Sequence, residues 1–190
     1  GLSTPSDGAF KETLRSKTWE NITIEEVGKE VAARAGIALV WDIEGEPITL
    51  KSVEQSEQSD CDFFMGLCET YGCAMKVYAQ KLVVFDREEY KAKDTVGIVR
   101  EGDLISWSWH KALSGTYTGG EYTYSDPATE EDVVAIVGTG TRILKQSGKA
   151  DSQADAQRKI QAALNNANHG AATLSITIMG NALWVASQCI

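Results

Sequence analysis

The chain is poor in the residues from which active centres are usually built. It has two histidines, His110 and His169, and four cysteines, Cys61, Cys68, Cys73 and Cys189, in 190 residues. No cysteines form a C-x-x-C pair, and four in a chain of this length are too sparse for a disulfide scaffold. Reduced thiols are therefore expected. No run approaches the roughly 18 apolar residues of a membrane-spanning helix, and no charged-then-apolar start marks a signal peptide. The chain opens on Gly1 rather than Met and is read as a piece or a processed form of a longer protein. Clustered Lys and Arg are also missing, and a nucleic-acid binder needs them to displace counterions. The formal net charge is −9, so bound nucleic acid is not expected.

That charge is unevenly spread. Residues 1–90 carry 17 acids against 9 bases, whereas residues 91–190 carry 10 against 9. The asymmetry predicts two structural units with a seam near residue 90. The hydrophobic content of 43% and charged content of 24% are those of an ordinary globular chain able to bury a core.

Two segments of the first unit share one grammar. In "TIEEVGKEVAARAGIALVW", Thr23 and Glu26 form a capping-box pattern. Ile24, Val27, Val31 and Ala35 recur at helical spacing, and Gly36 stands where a helix-ending glycine belongs. In "SDCDFFMGLCETYGCAMKV", Ser59 is the cap, Asp62 its acidic partner, and Gly72 the stop. Phe64, Leu67, Cys68 and Tyr71 form the apolar stripe, while Asp60, Asp62 and Glu69 are assigned to capping or surface. Cap and glycine are 13 positions apart in both segments. Strand-like runs follow each helix, at 37–41 and 47–53 and again at 81–86, so helix–strand–strand is expected twice.

The second unit alternates polar and aromatic residues with period two in "DLISWSWHK" (103–111) and "GTYTGGEYTYSDP" (115–127), as half-buried strands do. Gly119-Gly120 is either a hairpin turn or a bulge. "EDVVAIVG" and "TRILKQ" predict strands on either side of a tight turn in "GTGT" at 138–141. "DSQADAQRKIQAALNNANHG" predicts a helix capped by Asp151 or Ser152, with Ala156, Ile160, Ala163, Leu164 and Ala167 on one face and Gly170 at its end. "ATLSITIMG" and "LWVASQCI" predict two closing strands. The overall expectation is α+β: a small α/β domain of two helix–strand–strand units at 1–90, then a β-barrel-like tube domain carrying one helix at 91–190.

Tests for chemistry return ordinary roles. His169 beside Gly170 suits a helix C-terminus, and His110 alternates with Trp107 and Trp109. Cys61 and Cys68 share a helix side and Cys73 could approach them, but no fourth ligand completes a zinc set. The carboxylate pairs Asp60/Asp62, Glu25/Glu26, Glu88/Glu89 and Glu130/Glu131 sit in first helical turns or beside turns. "GTGT" lacks the context of a phosphate-binding loop. No catalytic, cofactor-binding or metal residue is assigned, and no enzyme is expected.

Four stretches carry a resemblance over nearly the whole chain. "QSDCDFFMGLCETYGCAMKVYAQKLVVFD", "SGTYTGGEYTYSDPAT", "ADSQADAQRKIQAAL" and "TIMGNALWVASQCI" occur in the order seen in the phage late control D family, the tail baseplate hubs related to type VI secretion spike hubs. Two positions depart from that pattern: Ala182 stands where the family has proline, and Ser187 where it has glycine. The resemblance implies a structural virion tail protein assembled in the bacterial host cytoplasm. Its partners would be itself, as a homotrimer, together with tail tube and spike or baseplate proteins. It implies no cofactor, no specific nucleic acid and no membrane. The ring would join tail tube to spike. Trp107, Trp109, Tyr117, Tyr122 and Tyr124 are the expected interface residues, although core burial is the better reading for the two tryptophans. The alternative is a tail-associated peptidoglycan-degrading or glycan-binding protein.

Overall fold

The computed structural model describes residues 8–180 apart from 96, 113, 114, 127, 128 and 130. The predicted final strand at 183–190, Cys189, and the departures at Ala182 and Ser187 lie outside the described residues, as do Pro127 and Glu130.

A short helix α1 (Ala9–Glu12) leads into the long strand β1 (Leu14–Thr23), which sequence patterning did not reveal. Thr23 ends β1 and caps α2 (Ile24–Arg34), its side chain accepting from the Glu26 amide while the Glu26 carboxylate accepts from the Thr23 amide at 2.9 Å. This capping box is the one read from the sequence. Gly36 follows at φ +66, a left-handed turn that releases the chain into β2 (Ala38–Asp42). Next come β3 (Thr49–Ser59), α3 (Asp60–Thr70), β4 (Cys73–Tyr78), β5 (Lys81–Asp86) and α4 (Arg87–Ala92). Ser59 ends β3 and caps α3, accepting from the Asp62 amide at 3.0 Å.

Helix–strand–strand does occur twice in chain order, but hydrogen bonding groups the strands differently. β1 pairs antiparallel with β3, while β5 lies between β2, to which it is parallel, and β4, to which it is antiparallel. The repeating unit therefore begins one strand earlier than the sequence pattern indicated: β1–α2–β2 and β3–α3–β4, each with its cap at a strand–helix junction. Ile24, Val27, Val31, Phe64, Cys68, Leu82 and Val84 are all fully buried at the centre of this unit. Phe63, outside the expected stripe, is also buried and stacks on Trp19 with ring centroids 5.3 Å apart. Leu67 is only partly buried.

Asp60 requires a correction. It stands in the first turn of α3 but is 2% exposed, so it has no surface role. Arg34 Nη1 donates to its Oδ1 at 2.9 Å, Gln55 Nε2 donates to the same oxygen at 3.0 Å, and Arg15 Nε lies 3.3 Å from Oδ2. One carboxylate thus ties together β1, α2, β3 and α3. Glu30 extends the network by accepting from Lys17 at 2.6 Å and from Trp19 Nε1 at 2.8 Å.

The second part contains β6 (Leu104–Lys111), β7 (Gly119–Ser125), β8 (Asp132–Gly138), β9 (Ile143–Ser147), α5 (Gln153–Asn168) and β10 (Ala172–Ile178). Its strands form two sheets, the ribbon β6–β10 and the sheet β8–β7–β9. Among the described residues neither sheet closes into a barrel, so the α+β class stands while the barrel-like expectation does not. Gly119-Gly120 is neither turn nor bulge but the start of β7. A Cβ on Gly120 would come within 2.5 Å of Ile160 Cγ1, so the glycine lets α5 lie close on the sheet. The 138–141 segment wraps round the start of β7, because β8 and β9 flank that strand on opposite sides. Gly138, at φ +69, passes so close to Thr118 that a Cβ would be 2.6 Å from its carbonyl oxygen.

Ser152 caps α5 by accepting from the Asp155 amide at 3.2 Å. Ala156, Ile160 and Leu164 are buried as expected, but Ala167 is exposed and Ala162 buried. The reason is that α5 has two contacts. One face covers β7 and β8, and on the other side Ala162 meets Gly72. Arg158 donates from its Nε to the Tyr71 carbonyl at 3.3 Å, and Arg87 donates to Asn166 Oδ1 at 2.7 Å.

Candidate assembly surface

In the ribbon, Trp109 stands opposite Leu174 and Trp107 opposite Ile176. Residues directly opposite in an antiparallel pair share a face, so these four form one apolar surface. Ser106 opposite Thr177, Ser108 opposite Ser175, and His110 opposite Thr173 form the other. Period-two alternation in both strands produces the segregation. Trp107 is 62% exposed, Trp109 57% and Leu174 56%. Core burial, the better sequence reading for the two tryptophans, is thereby overturned: among the described residues nothing covers the face on which they lie. Ile105 is exposed at the irregular end of the ribbon, where the register shifts between Thr177 and Ile178. Lys111 is the sole formally charged residue of the two strands. Neither strand has a third partner among the described residues.

The tyrosines separate from the tryptophans. Tyr122 and Tyr124 point inward from β7 and are buried in the second hydrophobic cluster with Ala135, Ala156 and Ile160. Their rings belong to the core beneath α5, and the Tyr122 hydroxyl donates to the Lys149 carbonyl at 3.3 Å. Tyr117 is half-buried; its backbone amide and carbonyl are bridged by the Asn168 side chain at 2.8 and 2.9 Å.

The groups tested for chemistry lie apart from one another. His110 is exposed on the ribbon and His169 is the exposed C-cap of α5. Among the described residues no group of three His, Cys, Asp or Glu side chains could hold a metal ion. Burial pushes the Cys68 thiol far above its ordinary value, with the neighbouring Cys73 adding to the effect. Burial likewise pushes Cys73 up to about 11, although Arg158 acts in the opposite direction. Cys61, half-buried at the start of α3, is raised by burial and by Asp62. Only the thiolate is a nucleophile. In the native protein at pH 8, Cys68 and Cys73 should therefore stay silent towards a chromogenic disulfide reagent and react once urea unfolds the chain. Cys73 also contributes to pH dependence. The unfolded thiol releases its proton near pH 9 and the folded one near 11, so this contribution is intact below about 9 and lost as pH rises towards 11. Alkaline urea titrations check it.

The Tyr71 hydroxyl is pushed well above the ordinary phenol range by burial and then by Asp155. Two surface grooves run beside α5. One, of about 390 Å³, lies between Glu69, Thr70, Gln146 and Lys159; the other, of about 290 Å³, is lined by Glu44, Asp86, Glu89 and Arg158. Most of these charged side chains already have partners, including Lys159 with Asp155 at 2.8 Å and Arg158 with Asp86 at 3.8 Å. Among the described residues no helix is long and apolar enough to cross a membrane.

The fold of the chain is similar to that of solved prophage tail proteins. No family model matches the sequence and no curated protein matches it, but solved structures do. The 43 kDa tail protein of prophage MuSo2 from Shewanella oneidensis superposes with a TM-score of 0.68 at 14% identity, over 92% of this chain and 56% of that one. The tail protein from Neisseria meningitidis MC58 gives 0.69 at 16% identity, over 91% and 56%. Prophage tail protein gp18 from Listeria monocytogenes EGD-e gives 0.57 at 14%, over 80% and 51%. The chain thus spans about 56% of the length of the first two.

Proposed function

We propose that this chain is a structural subunit of a phage or prophage tail baseplate hub, without enzymatic activity. In this reading it forms a homotrimeric ring joining tail tube to spike, located in the virion tail and assembled in the bacterial cytoplasm. The observation that carries the reading is the uncovered apolar face of the β6–β10 ribbon. A two-stranded ribbon is marginal in water by itself, and covering its Trp and Leu side chains is the gain that association offers. Two unpaired, nearly uncharged strand edges add a template for pairing with a neighbouring chain. Trp107 and Trp109 therefore carry the proposed interface, and Tyr117 is kept in it; Tyr122 and Tyr124 leave it, because both are buried in the cluster beneath α5. The tail protein fold and the resemblance to late control D proteins support the same reading. The division at residue 90 is part of the proposal. Its support is the separation of one hydrophobic cluster, between Phe10 and Val84, from another, between Tyr122 and Ile160.

The solution mass of the full-length protein tests this. A trimer that takes up its tube partner is the expected result; a stable monomer indifferent to the tube protein overturns the hub. Trp107→Ser with Trp109→Ser should weaken self-association by about 1,000-fold, since buried interface tryptophans commonly contribute about 2 kcal/mol or more each and every 1.4 kcal/mol is about tenfold. Both side chains are exposed in the single chain, so its unfolding free energy should shift by less than about 1 kcal/mol. Two exposed tryptophans side by side also suit stacking on sugar rings, the basis of the glycan-binding alternative. Sedimentation with peptidoglycan that is abolished by the same double substitution, in a protein that stays monomeric, would favour it.

A further inference from the structure

A ring of three needs two different surfaces on each subunit, because a patch that meets its own copy closes a dimer about a two-fold axis. The ribbon therefore cannot form both sides of the contact. Outside it, β8 is the only described strand with two exposed large apolar side chains, Val134 at 46% and Ile136 at 59%. They lie on the sheet face away from α5, since Val133, Ala135 and Val137 pack in the cluster beneath that helix. β8 is an edge of its sheet, as β6 is of the ribbon. Resting on the hub reading, we propose that the open edge of β6 pairs antiparallel with the open edge of β8 in the next copy.

The backbone of both strands is turned the right way for this. The Ala112 amide donates to the Ala171 carbonyl at 2.9 Å, immediately beyond the Lys111–Ala172 pair. Hydrogen-bonded and non-hydrogen-bonded pairs alternate along an antiparallel ladder. Ser106, Ser108 and His110 therefore bond to β10, whereas Trp107, Trp109 and Lys111 turn their N–H and C=O groups to the open edge. In the other sheet the Asp126 amide donates to the Glu131 carbonyl at 2.8 Å, just beyond the Ser125–Asp132 pair. By the same alternation Asp132, Val134 and Ile136 turn theirs away from β7. Each strand thus offers free backbone groups from the residues that carry its exposed apolar side chains. Joined antiparallel through those groups, the strands bring both apolar sets to one face, because opposite residues share a face. Charge selects the register. Lys111 and Asp132 are both exposed, and neither has an ion-pair partner among the described residues. Setting them opposite each other places Trp109 opposite Val134 and Trp107 opposite Ile136, so the apolar face of the ribbon runs on into that of the next copy's sheet.

Cross-linking in the full-length protein tests this. Lys111→Cys and Asp132→Cys are made as separate variants and assembled together. They are then treated with a bis-methanethiosulfonate spanning about 5 Å, the Cβ separation of opposite residues. Wild-type protein controls for the native thiols. Covalent links between the two variants are expected, and none within either variant alone. Val134→Asp with Ile136→Asp should weaken self-association by about tenfold or more, through lost cross-strand contacts and added carboxylates beside Asp132. Both side chains are exposed, so the circular dichroism of the dissociated chain should match wild type. A trimer that forms no link between the two cysteine variants, or that keeps its affinity with both aspartates, overturns the pairing and leaves the hub reading standing. Links within Lys111→Cys alone reveal a two-fold ribbon contact and overturn it too. A wild-type protein that never forms a trimer removes the hub reading itself, and the pairing falls with it.

Discussion

Replacing Asp60 by alanine should destabilise the protein by about 3 kcal/mol, the cost of breaking a buried ion pair by removing one partner. The loss follows from what remains. Arg15 and Arg34 would face each other and the Gln55 amide with no anion between them, and Arg34 is only 21% exposed at its side chain. Glu30 reaches Arg34 at 3.3 Å but already serves Lys17 and Trp19, so it compensates little. Asp60→Asn keeps an acceptor oxygen for Gln55 or Arg34 and should lose less. Because the pair is buried, raising the salt concentration should not restore stability as it would for a screened surface pair. Urea unfolding at two ionic strengths measures both effects; a change below about 1 kcal/mol in Asp60→Ala would show that the network contributes little.

The second large effect lies where α2 crosses α3. Phe64 is fully buried, and Phe64→Ala should cost about 3–5 kcal/mol through lost burial and the cavity left behind. Its ring end occupies the space that a side chain on Gly28 would fill: a Cβ there would stand 2.6 Å from Phe64 Cζ and 3.4 Å from Leu39 Cδ2. Gly28→Ala alone should therefore lose stability despite the roughly 1 kcal/mol that alanine gains over glycine within a helix. Combined with Phe64→Leu, which has no ring end, the same methyl should be accommodated. The double variant should then be more stable than the sum of the single losses by about 1 kcal/mol. Strict additivity in denaturant titrations would show that the two positions are not in contact.

These two sites also show where sequence reading succeeds and where it stops. The caps at Thr23 and Ser59 and the stops at Gly36 and Gly72 were legible because each is a local event, complete within a few residues. Asp60 was misread because its position in a first helical turn has a sufficient local explanation; what buries it is Arg34, 26 residues away, and Arg15 on an earlier strand. β1 went unseen because only Trp19 of its ten residues is buried, so no alternation marks it, and its pairing with β3 is non-local. Ala162 and Ala167 exchanged roles because a helix touched on two sides does not keep a single stripe. On the ribbon, period two correctly sorted the residues into faces, as Trp107 and Trp109 against Ser106 and Ser108 show. It could not say which face is covered, because that depends on what lies across from it.

The central position of β7 bears on when the second sheet can form. Gly119–Ser125 hydrogen-bonds to Asp132–Gly138 on one side and to Ile143–Ser147 on the other, and both partners come later in the chain. During synthesis this strand is made first but has no neighbour until β8 emerges, and no second one until β9 does. The close passage of Gly138 and Gly140 round Thr118 then closes the chain over the strand's beginning. Chains ending between Gly138 and Ile143 should hold β7 by one edge only, and those ending before Ile160 should leave its tyrosines without the helix that covers them. For this half of the molecule, folding is obliged to wait for the ribosome.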